Sequence, residues 1–161
     1  GVPAFPPPIG QARESSAKWL HIDGLGLNLT LETGRMDRPL NALRKCAWDT
    51  VKLWGLDVEQ QKALTRRPVS VKGADTWFRS SDYPQSMIRS GYQGNVNFRL
   101  IIDATGKIES CHIQTSTRPK DFDDVVCRVT MKRAKFLPAL DAKGIPVRSY
   151  WRQTVQFRIG Y

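Results

Sequence analysis

G-N-V-N-F-R-L-I-I-D-A-T-G-K-I-E-S-C-H-I-Q, residues Gly94 to Gln114, is the stretch that decides the fold. Val96, Phe98, Leu100 and Ile102 alternate with Asn95, Asn97, Arg99 and Ile101. This period of two gives a strand one apolar face and one largely polar face. Asp103-Ala-Thr-Gly106 follows with turn chemistry, and Gly106 is free to take positive φ. A second run holds the apolar residues Ile108, Cys111 and Ile113. The step of three from Ile108 to Cys111 breaks parity, and a β-bulge absorbs it. The stretch predicts a β-hairpin with one face for a core and one for solvent.

Downstream, Phe122, Val125, Val126, Val129 and Phe136 fall on one helical face. Asp121 is the expected cap of that helix, with Asp124 near the positive end of the dipole. Lys132, Arg133 and Lys135 sit in its last turns, where the dipole favours cations, and Leu137-Pro138 stops it. Asp141 to Pro146 reads as a turn. The chain closes on Trp151, Gln153, Val155, Phe157, Ile159 and Tyr161 alternating with Arg152, Thr154, Gln156, Arg158 and Gly160. This is the longest clean alternation in the sequence and predicts a strand.

Upstream, Tyr83-Pro84 begins a short helix near Gln85 to Ser90, which Gly91 ends. Residues 66–82 are rich in Pro, Gly, Ser and charge and read as a linker, with Trp77 and Phe78 holding it to a neighbouring surface. Asp57-Val-Glu-Gln60 has capping-box spacing and starts a helix to about Leu64. Before it, Leu40, Leu43, Ala47, Val51 and Trp54 form a helical stripe opened by Pro39 and stopped by Gly55. Leu25, Leu27, Leu29 and Leu31 alternate with polar residues and glycines as a strand, two-part if Trp19 to Ile22 joins it. The lone His21 is expected at the surface or in a hydrogen bond. Residues 11–18 read as a polar loop. Residues 1–10 hold four prolines and read as an extended tether. The segment 19–65 exposes more apolar surface than it covers. It therefore needs the C-terminal half, a second copy or an upstream segment to pack against.

The net charge is +10 over 161 residues. Residues 1–82 carry 12 Lys/Arg against 9 Asp/Glu, and residues 83–161 carry 13 against 6, so the excess sits with the hairpin. A basic half suits nucleic acid, an anionic surface or an acidic partner. Dispersed cations without interleaved exposed aromatics favour the plainer role of a solvated face, and no nucleic-acid partner is expected. No apolar run approaches the ~18 residues of a membrane span. Three cysteines, Cys46, Cys111 and Cys127, suggest one pair and one left over.

The order Y-P, G-Y-Q-G-N-V-N-F-R-L-I-I-D-A-T-G-K-I, R-A-K-F-L-P-A-L, G-I-P-V and a terminal V-Q-F resembles the C-terminal domain of TonB, the energy transducer of Gram-negative bacteria. The resemblance covers about residues 80–161. Ala134 departs from it, standing where the family carries an aromatic, while Lys132-Arg133 and Phe136 match. Residues 11–82 have no counterpart. It implies an α+β fold, a small three-stranded antiparallel sheet with helices on one face, here preceded by a strand plus two-helix segment. The divisions expected are 1–18, 19–65, 66–82 and 83–161. A fragment of residues 80–161 is expected to fold alone, and one of residues 1–79 to be molten or aggregated.

The resemblance also implies a periplasmic module that docks a TonB-box-like extended peptide of outer-membrane receptors by β-strand addition and transmits energy for transport. Membrane contact would come only through an N-terminal anchor preceding this chain. The expected docking edge is Tyr150, Trp151, Arg152, Gln153, Thr154, Val155, Gln156, Phe157 and Arg158, with Tyr83 beside it. A TonB-like fold lays the helix on the second hairpin strand, which implies a Cys111–Cys127 disulfide in an oxidising compartment. The alternative is a structural or envelope-polymer-binding periplasmic protein that dimerises through the same edge.

Catalysis and cofactors are not expected. A zinc site at Cys111, His112 and Cys127 fails on direction, because neighbouring strand residues face opposite sides, and no fourth ligand has suitable spacing. Asp103-Ala-Thr-Gly106 is close to the Asp-Thr-Gly of aspartic proteases, but Ala104 interrupts it and a turn accounts for every residue.

Overall fold

The computed structural model describes residues 11–117 and 119–159. The expected proline-rich tether at 1–10 and the last two residues of the terminal strand lie outside them. The chain divides into two compact units, Gly1–Gly55 and Leu56–Tyr161.

The first unit opens with α1, Gln11–Ser16, where a loop was expected. Six residues do not hold a helix alone. The Glu14 carboxylate accepts two bonds from the Arg44 guanidinium, at 2.6 and 2.7 Å, and is itself nearly inaccessible to solvent. That tertiary pair overrides the polar composition. Strands β1 (Trp19–Gly24) and β2 (Leu27–Glu32) form a hairpin that pairs Leu20 with Leu31 and Ile22 with Leu29. Leu25, expected in a strand, occupies the turn at φ 53° between Gly24 and Gly26, both also at positive φ. His21 bonds Thr30 Oγ1 through Nδ1 at 2.9 Å, as expected. Helix α2 (Asp37–Leu53) starts two residues before Pro39, which sits in the first turn where a missing N–H breaks no bond. Gly55 follows its last turn at φ 72°.

The second unit begins with α3 (Val58–Lys62), capped by Asp57 Oδ1 accepting from Gln60 N at 2.8 Å. Strand β3 (Val69–Ser70), two short 3₁₀ turns, α4 (Gln85–Arg89), β4 (Gly94–Ile102), β5 (Ile108–Ser116), α5 (Lys120–Arg133), β6 (Phe136–Leu137), β7 (Ala139–Leu140), β8 (Pro146–Val147) and β9 (Ser149–Phe157) follow. The main sheet is antiparallel in the order β5-β4-β9. The expected bulge is present: Ile102 pairs with Ile108 and Ile101 with Ser110, leaving Glu109 extra. Asp103 Oδ1 accepts from the backbone N–H groups of Thr105 and Lys107 at 2.8 and 2.9 Å, which closes the turn. Gly106 takes φ 87°, and a Cβ there would collide with the Phe136 carbonyl oxygen.

Phe122, Val125, Val126 and Val129 of α5 are buried in one core with Val96, Phe98, Leu100 and Ile102 of β4. The opposite side of β4 is not the solvent face expected, since Arg99 and Ile101 are also buried. β4 is the central strand, and Arg152 Nε of β9 donates to Gln114 Oε1 of β5 at 3.1 Å, a bond that spans the two outer strands over Arg99.

Two expectations for α5 need correction. Its N-cap is Pro119 and Asp121 lies inside the first turn, with no side-chain cap bond. The helix ends at Arg133, so Phe136 belongs to a strand. Backbone groups of residues 135–137 are taken by β3, with Val71 N donating to Lys135 O at 2.9 Å and Val69 facing Leu137. Strand pairing there outcompetes another helical turn.

The same contacts mean that residues 66–82 do not run as a loose linker. Arg66 and Leu140 exchange backbone bonds, and Trp77 is only 2% exposed within the core. The compact units meet at Gly55 and Leu56 rather than inside this stretch, and α3 belongs with the sheet. Gln61 shows why: its amide donates to Arg148 O at 2.9 Å and accepts from Ser149 Oγ at 2.6 Å.

Candidate functional site

β9 pairs with β4 along one side only, so its other side is a sheet edge among the described residues. Backbone direction follows from bonds at the ends of β4. Thr117 N donates to Asn95 O and Asp103 N donates to Lys107 O, so odd-numbered β4 residues turn their backbone groups toward β5. N–H and C=O direction alternates along a strand. Val96, Phe98, Leu100 and Ile102 therefore bond to β9, where their partners are Val155, Gln153, Trp151 and Ser149. The intervening residues, Arg152, Thr154 and Gln156, send their backbone groups to the open edge, and Tyr150 has the same parity.

Side chains alternate with equal regularity. Trp151, Gln153, Val155 and Phe157 share the α5 side of the sheet, while Tyr150, Arg152, Thr154 and Gln156 share the other. Thr154 Oγ1 donates to Asn97 Oδ1, and Asn97 Nδ2 donates to Thr115 Oγ1 at 2.7 Å, a relay across all three strands. Together with the Arg152–Gln114 bond it ties the edge strand to the far side of the sheet.

Alongside the C-terminal part of β9 lies a shallow groove of about 130 Å³ lined by Phe78, Arg79, Asp82, Tyr83, Val155, Gln156, Phe157 and Arg158. Its floor is aromatic. Tyr83 meets Phe122 and Phe157 edge-on at 5.6 and 5.5 Å, and those two rings stack at 4.4 Å. The Tyr83 hydroxyl donates to the Tyr92 carbonyl at 2.5 Å. Burial pushes the Tyr83 phenol above its ordinary range, while the nearby Arg158 pulls it down. Asp82 accepts from Arg133 at 2.5 and 2.9 Å and from Arg79 N at 2.8 Å. The Arg133 bond holds its carboxyl below the usual carboxylate range against the opposing effect of burial. The groove thus has a compensated acid at its base, with Arg79 and Arg158 among its lining residues.

The structure brings Tyr83 together with Val155, Gln156, Phe157 and Arg158, and leaves Tyr150 to Thr154 outside the groove. Trp151 is engaged with the core, at 5.1 Å from Trp77 and 5.3 Å from Phe136, and Phe157 is only 6% exposed. Phe78, Arg79 and Asp82 were missed from sequence as groove residues. The signal was an aromatic pair inside a polar stretch, followed by Arg79-Ser-Ser-Asp82 at capping spacing, and the backbone and side-chain bonds between those two ends are present.

Cys111 and Cys127 form a disulfide that joins β5 to α5, with Cα atoms 5.5 Å apart. Cys46 is a free, exposed thiol. His112 Nε2 lies 3.0 Å from Ser110 Oγ, and burial followed by the Arg99 charge lowers its pKa. Among the described residues no cluster of His, Cys, Asp or Glu could hold a metal ion, and no helix is long and apolar enough to cross a membrane.

No curated protein matches the chain. Among solved structures it is similar to the solution NMR structure of the Pseudomonas aeruginosa TonB CTD, at 19% identity over 58% of this chain and 88% of that one, with a TM-score of 0.44. The family model for the Gram-negative bacterial TonB protein C-terminal matches residues 79–159. That match opens at Arg79 in the groove, encloses α4, α5 and the whole three-stranded sheet, and closes just past β9. The chain belongs to the family of Gram-negative bacterial TonB protein C-terminal domains.

Proposed function

We propose that the second unit is a periplasmic docking module that receives an extended peptide of an outer-membrane receptor as a fourth strand along β9. The observation that carries this reading is the open, side-chain-laced edge of β9 running into the groove at Tyr83. Backbone groups of Arg152, Thr154 and Gln156 supply affinity that any extended chain satisfies, and the groove supplies selectivity for one side chain. The exposed Arg152 and Arg158 are the kind of charge that keeps an edge from pairing indiscriminately. The role is binding rather than reaction. Transmission of energy for transport is a further step of the same reading.

Titrating the ¹⁵N-labelled chain with a TonB-box-like receptor peptide tests it. Amide shifts are expected along residues 150–158 and around Tyr83. Shifts confined to α5 or to the first unit would remove the strand-addition site. Binding through the basic surface to an envelope polyanion would weaken steeply with salt, whereas backbone pairing holds at moderate ionic strength.

A further inference from the structure

The groove beside the C-terminal part of β9 carries an unbalanced charge. Three arginines gather at a single acid, Asp82, and that acid is already engaged. Arg133 binds both of its oxygens, at 2.5 and 2.9 Å, and the Arg79 backbone N–H donates to one of them at 2.8 Å. Arg79 and Arg158 line the same groove with exposed side chains, and among the described residues neither makes an ion pair. The sheet does not supply a counter-charge. Its three strands hold one acid, Glu109, which is bonded to Arg148 at 2.7 Å. Like charges at one site repel until an anion joins them. Size limits what that anion can be. At about 130 Å³ the groove is well below the roughly 300–1,000 Å³ of a small-molecule site and leaves room for a single side chain. It is also continuous with the open edge, since Val155, Gln156 and Phe157 belong to both.

We propose that the groove is a carboxylate pocket, in which Arg79 and Arg158 select an Asp or Glu side chain of the strand that docks on β9. The inference rests on the docking reading above and names the chemistry of the residue that the groove selects. The methylene stem of the acid lies on the Tyr83 ring at the groove floor. Its carboxylate faces the two guanidinium groups, whose planar forks suit it. The Arg158 charge already acts on the Tyr83 phenol, against the larger effect of burial, so it reaches the place where the guest side chain would sit. An aliphatic side chain there would leave both cations unanswered, and a Lys or Arg would add another charge of the same sign.

The test uses the full chain, ¹⁵N-labelled, and Ser/Thr/Val peptides of nine residues, the length of β9. A single Glu is walked along the peptide, each position having a Gln counterpart. Amide shifts along residues 150–158 report docking, and the affinity of Glu over Gln reports the pocket. At one position Glu is expected to bind on the order of tenfold tighter than Gln, with shifts at Tyr83 and Arg158. In Arg79→Gln with Arg158→Gln, checked as folded by its amide spectrum, that preference is expected to vanish. Lys107→Gln with Lys143→Gln removes the same charge from exposed positions elsewhere and is expected to keep it. Docking along residues 150–158 with equal affinity for Glu and Gln at every position overturns the pocket and leaves strand addition standing. A preference that survives the arginine variant, or that the lysine variant also removes, overturns it too. So does inorganic phosphate that shifts Tyr83 and Arg158 at lower concentration than the Glu peptide. Absence of shifts along residues 150–158 with every peptide removes the docking reading and this inference together.

Discussion

Asp82 and Arg133 close a two-bonded ion pair, at 2.5 and 2.9 Å, that fastens the segment ahead of α4 to the last turn of α5. Arg133 also donates to the Trp77 carbonyl at 2.8 Å, so one guanidinium positions both the buried indole and the base of the groove.

Breaking this pair is expected to loosen the groove before the sheet. Arg133→Ala should lower stability, because it removes the charge-assisted bonds to Asp82 and the bond to the Trp77 carbonyl. Because the folded Asp82 carboxyl titrates below its unfolded value, its contribution is fully present above about pH 4 and fades as pH falls through the lower folded value. Urea melts of wild type and Asp82→Asn should therefore differ at neutral pH and converge in acid. A difference that grows in acid would contradict the assignment.

Removal of the disulfide has a separate signature. It closes a loop with a sequence separation of 16, and loss of such a bridge costs about 3 kcal/mol in the chain-entropy model. Cys111→Ala with Cys127→Ala should lower the melting temperature and leave the fold in place at room temperature. Thiol titration of unreduced, unfolded wild type should find one reactive group, at Cys46. Three would show that the bridge does not form.

Backbone parity along β9 gives the sharpest test of strand addition. Gln153 turns its N–H toward β4 and Thr154 turns its N–H to the open edge. Gln153→Pro removes a ladder bond and should unfold the second unit. Thr154→Pro should leave a folded domain that no longer binds receptor peptide. Equal effects of the two variants on folding would mean that the edge is not open as described.

The unit boundary predicts how fragments behave. A fragment of residues 56–161 should melt cooperatively. One of residues 80–161 keeps the family match nearly whole but lacks β3 and Trp77, and should be about 3–5 kcal/mol less stable, the cost of emptying a large aromatic site. Identical melts for the two fragments would show that residues 56–79 add nothing to the core.

Local signals carried the hairpin, its bulge, the cap at Asp57 and the stripe of α5, because each is written in neighbouring residues. The family resemblance supplied what spacing alone does not, the meeting of Cys111 with Cys127. What escaped the sequence depends on distant partners. Nothing near Phe136 says that β3, more than sixty residues earlier, takes its backbone bonds and ends α5. Nothing near Glu14 announces Arg44. The groove was half legible: Tyr83 and the terminal strand stood out, while Phe78, Arg79 and Asp82 were hidden inside a stretch whose composition resembles a linker.

The cross-strand lacing at Arg152 and Thr154 has a consequence for recognition. These side chains are already tied across β4 to Gln114 and, through Asn97, to Thr115. In the docking proposed above, an arriving strand would meet a rail already held in place, and the ordering entropy would fall on the newcomer. The charges of Arg152 and Arg158 along that rail would turn away some ill-matched segments. On that proposal, the finer discrimination would rest on a side chain reaching the hollow at Tyr83, which is where a change of specificity would have to be written.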